Sequence, residues 1–339
     1  MDAQETRSVL TIALMAAFAD GLKDDREREA VKRVAEVLGT DAGFDLPGLY
    51  REVLLAKPDL ARVASSLPSP ASRQFAYEMA VGVCDADGAQ GPAEKAFLAQ
   101  LATALGLSAS VANTTSAAAD EVAEAAFAPL EPTSRGPTDT GPKAGPDAGP
   151  GSGSGAPVSG TVLGRASLPD AEMDRMILNA SITNAALELL PESLASMAII
   201  PLQLRLVYRI GQSYGFAMDA SHAKDFVATL GVGLTGQYLE QFGRKLLGGL
   251  LGGVGGGLGR AVGRQAASSG LTFATTYAIG RVAQRYFAGG RKLDAATLKE
   301  SFTALLAEAR DLAPRYREQI EQKAGTIDVG RLASLVRQG

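Results

Sequence analysis

The sequence predicts an all-α protein that consists of an N-terminal helical bundle, a disordered linker and a C-terminal glycine-rich helical domain. Apolar side chains recur every three or four residues through residues 5–128 and again through 168–325, which is the spacing of amphipathic helices. Aromatic residues make up 6% of the 339 residues and Trp is absent, so Ala, Gly, Leu and Val carry the apolar content. This composition favours closely packed helices over sheets.

The N-terminal part, residues 1–130, is predicted to be a series of helices that end at glycine or proline. Gly39 and Gly106 occupy positions where helix C-caps belong. The Pro-Ser-Pro sequence at 68–70 indicates the end of one helix and the start of the next. Three helices of this part follow from the apolar pattern: Leu46–Leu55, Asp59–Leu67 and Ser108–Leu130.

Residues 131–167 are rich in Gly, Pro, Ser and Ala, as in GPKAGPDAGPGSGSGAP. Such a segment buries too little apolar surface to offset the entropy lost on ordering. We therefore expect it to be a flexible linker between two domains.

The C-terminal part, residues 168–339, is again predicted to be helical. The expected helices are Asp170–Leu190, Ser193–Phe216 with an interruption at Pro201, Ala223–Leu251, Ala266–Ala288, and Asp294–Lys323 with a kink at Pro314. The segment LLGGLLGGVGGGLGRAVG places glycines four residues apart, a pattern that lets helices approach closely in a membrane. In water each glycine costs a helix about 1 kcal/mol, so this segment needs a partner or lipid, or else forms an irregular loop.

Membrane association is expected for this part, although not as a simple span. Its longest run without charged residues is 16 residues, Gln265–Gly280, whereas a membrane-spanning helix needs about 20. We expect helices that lie on or dip into a membrane, and a soluble bundle is the alternative. Residues 1–130 carry a net charge of −8 and residues 168–339 one of +4, which indicates cations as partners of the first part and anionic lipid as a partner of the second.

A repeat with an offset of 67 residues supplies the candidate site. It superimposes Asp20 on Asp87 and Glu27 on Glu94, with a glycine after each aspartate. The interval from glycine to glutamate matches that of an EF-hand loop, and Asp85 adds another carboxylate in the second copy. The earlier ligand positions of such a loop are partly apolar, so neither copy is a complete EF-hand.

Two interpretations of these acidic corners remain open. In the first, Asp20, Glu27, Asp87 and Glu94 bind a divalent cation such as calcium, manganese or zinc. In the second, the glutamates are helix-capping residues, because Glu at the third helical position closes a capping box and is favoured by the helix dipole. The two roles are compatible.

The phrases FADGLKDDREREAVKRVAEVLG and VCDADGAQGPAEKAFLAQLATALGL resemble the TerB family of tellurite-resistance proteins and the related N-terminal domain of DjlA-type co-chaperones. The resemblance covers about residues 5–128. It implies a compact all-helical domain with an acidic face, associated with divalent metals and stress response, and no settled enzymatic activity. The positions that match the family pattern are Asp20, Glu27, Asp87 and Glu94.

The phrases IIPLQLRLVYRIGQSYGF, LGGLLGGVGGGLGRAVGR and TFATTYAIGRVAQRYFAGG resemble the C-terminal domain of unknown function of YcjF-type inner-membrane proteins. That resemblance covers about residues 175–292 and implies membrane association and protein partners, including GTPases. The chain itself has no P-loop pattern, so nucleotide binding within it is not expected.

Together these observations predict a non-enzymatic, membrane-associated adaptor for stress or metal response at the inner face of a bacterial membrane. A metal-independent scaffold, or a module that partners a GTPase, is the alternative. The glycine pattern predicts possible homo-oligomers. Basic residues are too sparse to predict nucleic-acid binding. The single cysteine, Cys84, excludes an internal disulfide, and the N-terminal residues lack the basic start of a secretory signal, so we expect a cytoplasmic location.

Overall fold

A computed structural model describes residues 3–19, 21, 45–85, 90–128, 166–190, 193–231 and 258–339. Within these ranges the regular structure is α-helix with short 3-10 turns and no strand, which confirms the all-α prediction. The predicted linker, residues 131–167, lies outside the described ranges except for its last two residues.

The described residues of the N-terminal part form six helices, and local sequence signals explain where several of them begin. They are α1 (Ala3–Ala17), α2 (Leu46–Ala56), α3 (Leu60–Ser65), α4 (Pro70–Cys84), α5 (Pro92–Ala104) and α6 (Ala109–Ala125). The hydroxyl of Ser69 accepts a hydrogen bond from the backbone N–H of Ser72, and Pro70 opens α4 as expected after the Pro-Ser-Pro sequence. Gly106 adopts a φ of +67° after α5, as predicted for a glycine that ends a helix.

The C-terminal part contains α7 (Asp170–Leu189), α8 (Ser193–Met197), α9 (Ile199–Ser213), α10 (Ala220–Thr229), α11 (Leu258–Ala288), α12 (Ala295–Leu312), α13 (Arg317–Ala324) and α14 (Leu332–Gln338). A 3-10 turn at Ala313–Tyr316 separates α12 from α13, which confirms the kink predicted at Pro314. Another 3-10 turn, Val329–Arg331, precedes α14.

Two predicted boundaries are wrong. The break between α8 and α9 falls at Ala198, and Pro201 lies inside the first turn of α9, where a missing N–H costs nothing. Helix α11 begins at Leu258, eight residues before the predicted start at Ala266, so part of the glycine-rich sequence is helical.

The core of the C-terminal part is formed by α7, α9 and α11 at close approach. A β-carbon on Gly280 would lie 2.8 Å from Ile177 Cγ2 and 3.1 Å from Leu206 Cδ2, so only glycine fits at this crossing. Next to it, the Thr276 hydroxyl accepts hydrogen bonds from the side-chain amides of Asn184 and Gln203, each at 3.1 Å, in a fully buried position. A polar cluster therefore lies within an otherwise apolar bundle.

The N-terminal and C-terminal parts share one continuous hydrophobic core. Helix α6 of the first part packs against α8, α9 and α14 of the second, and α4 also contacts α8. The domain boundaries at 130 and 168 remain a prediction. No helix in the described ranges has both the length and the hydrophobicity that crossing a bilayer requires.

Candidate cation-binding site

The structure describes only part of the predicted acidic corners. Asp20, Glu27 and Asp87 lie outside the described residues, so whether the two corners meet remains a prediction. The glycine after Asp20 is described and has a φ of +64°, the left-handed conformation that a tight turn needs. Of the four predicted ligands, Glu94 is described.

Glu94 caps the start of α5. Its Oε2 atom accepts a hydrogen bond of 2.6 Å from the backbone N–H of Gly91, which satisfies one donor of the first helical turn. The capping interpretation of this residue is therefore confirmed. A carboxylate has two oxygens and several lone pairs, so capping leaves a role as cation ligand untested.

Asp85 is the unusual residue of this region. It follows the last residue of α4 and is only 5% exposed to solvent. Neither of its carboxylate oxygens accepts a hydrogen bond from any residue in the described ranges. Buried carboxylates are normally hydrogen-bonded or paired with a cation, because desolvation of an uncompensated charge costs several kcal/mol.

The surroundings of Asp85 add negative charge to this burial. Burial, followed by the charge of Asp120 on α6 and the weaker effect of Glu94, raises the pKa of Asp85 from 3.8 to about 7. The side chain of Gln90 lowers this pKa and that of Asp120 raises it further, but neither reaches Asp85 in hydrogen-bond geometry, and the Gln90 amide donates to the Ser116 hydroxyl at 3.3 Å. Glu94 on α5 and Asp120 on α6 are thus close enough to Asp85, which follows α4, to interact with it electrostatically.

This arrangement, which we call the acidic pocket (Asp85, Gln90, Glu94 and Asp120), supplies only oxygen ligands. Oxygen ligands suit hard divalent cations such as calcium and manganese better than zinc. In the described ranges no three acidic, histidine or cysteine side chains are close enough to form a metal site by themselves. A cation at this place would need ligands beyond these carboxylates, such as the oxygen of the Gln90 amide or water.

Sequence reasoning missed Asp120 as a member of the pocket. Asp85 was noted as an additional match to the EF-hand spacing, but Asp120 lies in an Ala-rich helix 35 positions away and belongs to no motif. Only the packing of α6 against α4 brings the two carboxylates into electrostatic contact. Cys84, beside Asp85, is buried.

Comparison with known proteins bears on the N-terminal part alone. Residues 2–119, about a third of the chain, match the model of a family described as "Protein of unknown function (DUF533)", which is a TerB-like family. No curated protein and no solved structure matches the chain. The match ends at residue 119 and does not reach the C-terminal part, which begins at residue 168. The resemblance of that part to YcjF-type proteins therefore stays a prediction. Residues 2–119 of this chain are thus similar to a TerB-like family whose function is not established.

Proposed function

We propose that the protein is a non-enzymatic adaptor whose N-terminal part binds a divalent cation in the acidic pocket and whose C-terminal part associates with a membrane surface. The observation that carries the proposal is Asp85, a buried carboxylate whose oxygens have no hydrogen-bonding partner among the described residues. Where pH leaves such a group ionised, a bound cation would compensate its charge.

The electrostatics of the pocket support a binding role that depends on cation concentration. Asp85 and Asp120 repel each other when both are ionised, and a divalent cation between them replaces this repulsion with attraction. The net charge of −8 on residues 1–130 further concentrates cations near this part. In such an adaptor, the occupied and empty states would present different surfaces to a protein partner during metal or envelope stress.

Calorimetric titration of calcium, manganese and zinc into the full chain tests the cation site. We expect calcium or manganese to bind with a stoichiometry of about one. Asp85→Asn and Asp120→Asn should each weaken binding about tenfold or more, since each removes a charged oxygen ligand. Asp87→Asn tests the predicted neighbouring ligand in the same way.

Glu124→Gln is the matched control, because Glu124 is an exposed acid on α6, one helical turn after Asp120. It removes the same charge from the same helix and should leave the affinity unchanged. Equal weakening by Glu124→Gln and Asp120→Asn would show only general electrostatic attraction and would refute a specific pocket. No heat of binding with any of the three metals would refute the cation site altogether.

The proposed membrane association is tested separately by co-sedimentation of the full chain with vesicles. The net charge of +4 on residues 168–339 supports binding to anionic vesicles in preference to neutral ones. Release by high salt would indicate a peripheral surface contact, and resistance to salt and carbonate would indicate helices embedded in lipid. Failure to sediment with either vesicle type would contradict this half of the proposal.

A further inference from the structure

Arg205, on α9, is the largest of the described side chains that are almost fully buried, with 2% of its surface exposed. No carboxylate forms an ion pair with it in the described ranges. Its guanidinium instead donates to backbone carbonyl oxygens: those of Ala126 and Ala128 at the end of α6, and that of Arg337 in α14 at 2.9 Å. A buried arginine that binds the carboxyl ends of two helices complements the negative ends of both helix dipoles.

Neighbouring contacts make this a composite joint, which we call the Arg205 joint (Arg205, Tyr208, Phe127 and the ends of α6 and α14). The Arg205 guanidinium lies 5.8 Å from the Tyr208 ring centroid, and Phe127 packs edge-on against the same ring at 6.1 Å. These contacts tie the last turn of α6, in the N-terminal part, to α9 in the C-terminal part.

Arg209, one turn further along α9, has a narrower role. Its guanidinium donates to the carbonyl oxygens of Gln338, the last residue of α14, and of Gly339, which follows it. It donates to no atom of α6 in the described ranges. Both arginines therefore bind the end of α14, whereas only Arg205 also binds the end of α6.

Helix α6 carries a residue of the acidic pocket as well as the end that Arg205 binds. Asp120 lies six residues before Ala126, which is about 9 Å along a helix at 1.5 Å per residue. The next residue, Glu121, forms an ion pair of 3.7 Å with Arg337 of α14, in the C-terminal part. One rigid helix thus contacts the pocket on one side and the C-terminal part on another.

We propose that α6 couples the two parts, so that a cation held between Asp85 and Asp120 strengthens the docking of the end of α6 on Arg205. The inference rests on the proposed cation site. Without a cation, repulsion between the two carboxylates pushes α6 away from α4; with a cation, α6 is held against α4 and its end is fixed for the Arg205 guanidinium. By thermodynamic linkage, loss of the Arg205 contact must then weaken cation binding by the same factor.

Calcium titration of full-length variants tests this reciprocity. Arg205→Met, which keeps the apolar stem and removes the donors, should weaken calcium binding about fivefold or more, although residue 205 touches no residue of the acidic pocket. Arg209→Met is the matched control, because it removes a guanidinium from the same helix that also binds carbonyl oxygens at the end of α14, and its calcium affinity should match that of the wild type. Arg205→Lys keeps the positive charge but lacks the forked guanidinium that reaches two helices. Its calcium affinity should lie between those of Arg205→Met and the wild type.

A second measurement keeps the test valid if Arg205→Met folds poorly. A specific protease site is placed within residues 131–165 of the full chain, and the cleaved protein is analysed by size exclusion with calcium or with EDTA. We expect the two pieces to co-elute in calcium and to separate more readily in EDTA, whereas calcium should hold the Arg205→Lys pieces together less well than it holds the wild-type pieces. Pieces that separate to the same extent with calcium and EDTA would overturn the coupling.

The outcomes also distinguish the coupling from the site on which it rests. If wild-type protein binds calcium and Arg205→Met binds it equally well, the coupling is overturned and the cation site stands. If wild-type protein binds no calcium, the site and the coupling fall together. If Arg209→Met weakens binding as much as Arg205→Met, α14 rather than α6 carries the effect and the proposal is wrong.

Discussion

Replacement of Asp85 by asparagine should stabilise the protein, and by an amount that depends on pH. In the folded protein the pKa of Asp85 is raised to about 7 from 3.8, so between these values the folded state holds a proton that the unfolded chain has released. Stability in the absence of metal is therefore lost as pH rises from about 4 to about 7. At 1.36 kcal/mol per pKa unit, the loss approaches about 4 kcal/mol at and above pH 7.

Asparagine resembles protonated aspartate in shape and cannot ionise, so Asp85→Asn removes this loss. The variant should exceed the wild type in free energy of unfolding by less than about 1 kcal/mol near pH 4 and by about 4 kcal/mol near pH 8. Urea denaturation of both proteins in EDTA, followed by circular dichroism at several pH values, measures the difference.

The difference between the two proteins isolates Asp85, because every other titrating group is common to both. Asp120→Asn provides a second check: it removes a negative charge near Asp85 and should reduce the pH dependence without abolishing it. A stability difference that stays constant from about pH 4 to about pH 8, or an Asp85→Asn protein that is less stable throughout, would refute the assignment of Asp85 as an uncompensated buried acid.

Two further substitutions test the packing of the C-terminal part by thermal and urea unfolding. Gly280→Ala should cost about 1–3 kcal/mol of stability, because the new methyl group would overlap Ile177 in a core without free space. Thr276→Val should cost about 1–3 kcal/mol, because it keeps the volume but removes the shared acceptor of the buried Asn184 and Gln203 amides.

Each of these changes has a control at a closely related position. Gly270→Ala lies on the same helix as Gly280, but its new methyl group would meet only the Ala313 β-carbon, at an ordinary 3.8 Å, so it should be neutral or slightly stabilising. Thr276→Ser retains the hydroxyl and should cost less than Thr276→Val. Equal losses at positions 270 and 280 would show that the destabilisation is not due to close packing.

Local sequence patterns predicted most of the fold because helices depend on local spacing and capping. The apolar periodicity and the cap residues located α2, α7 and α12 to within a few residues, and the Pro-Ser-Pro sequence located the start of α4. The errors occurred where local rules conflict: Pro201 suggested a break but is tolerated in the first turn of α9, and glycines suggested a loop where α11 has already begun.

The candidate site and the Arg205 joint could be predicted only in part, because both depend on contacts between distant segments. Asp85 lay within the repeated acidic pattern, but its burial and its proximity to Asp120 arise from the packing of α4 against α6. Arg205 belongs to no motif in the sequence; its burial is possible because two helices end at its guanidinium. No periodicity in the sequence encodes where helix ends converge.

Calcium should reduce the stability difference that pH creates between the wild type and Asp85→Asn. Ligand that binds only the folded state adds about 2.7 kcal/mol at a free concentration one hundred times the dissociation constant. Near pH 8 the wild type should therefore gain about this amount in calcium, which narrows its deficit relative to Asp85→Asn from about 4 to about 1 kcal/mol, while the variant, without the charged ligand, should hardly respond. Below about pH 5 the wild-type gain should shrink, because protons compete with the metal for the carboxylate. An equal response of the two proteins to calcium would mean that the ion binds elsewhere, and the burial of an uncompensated acid at residue 85 would then need a different physical explanation.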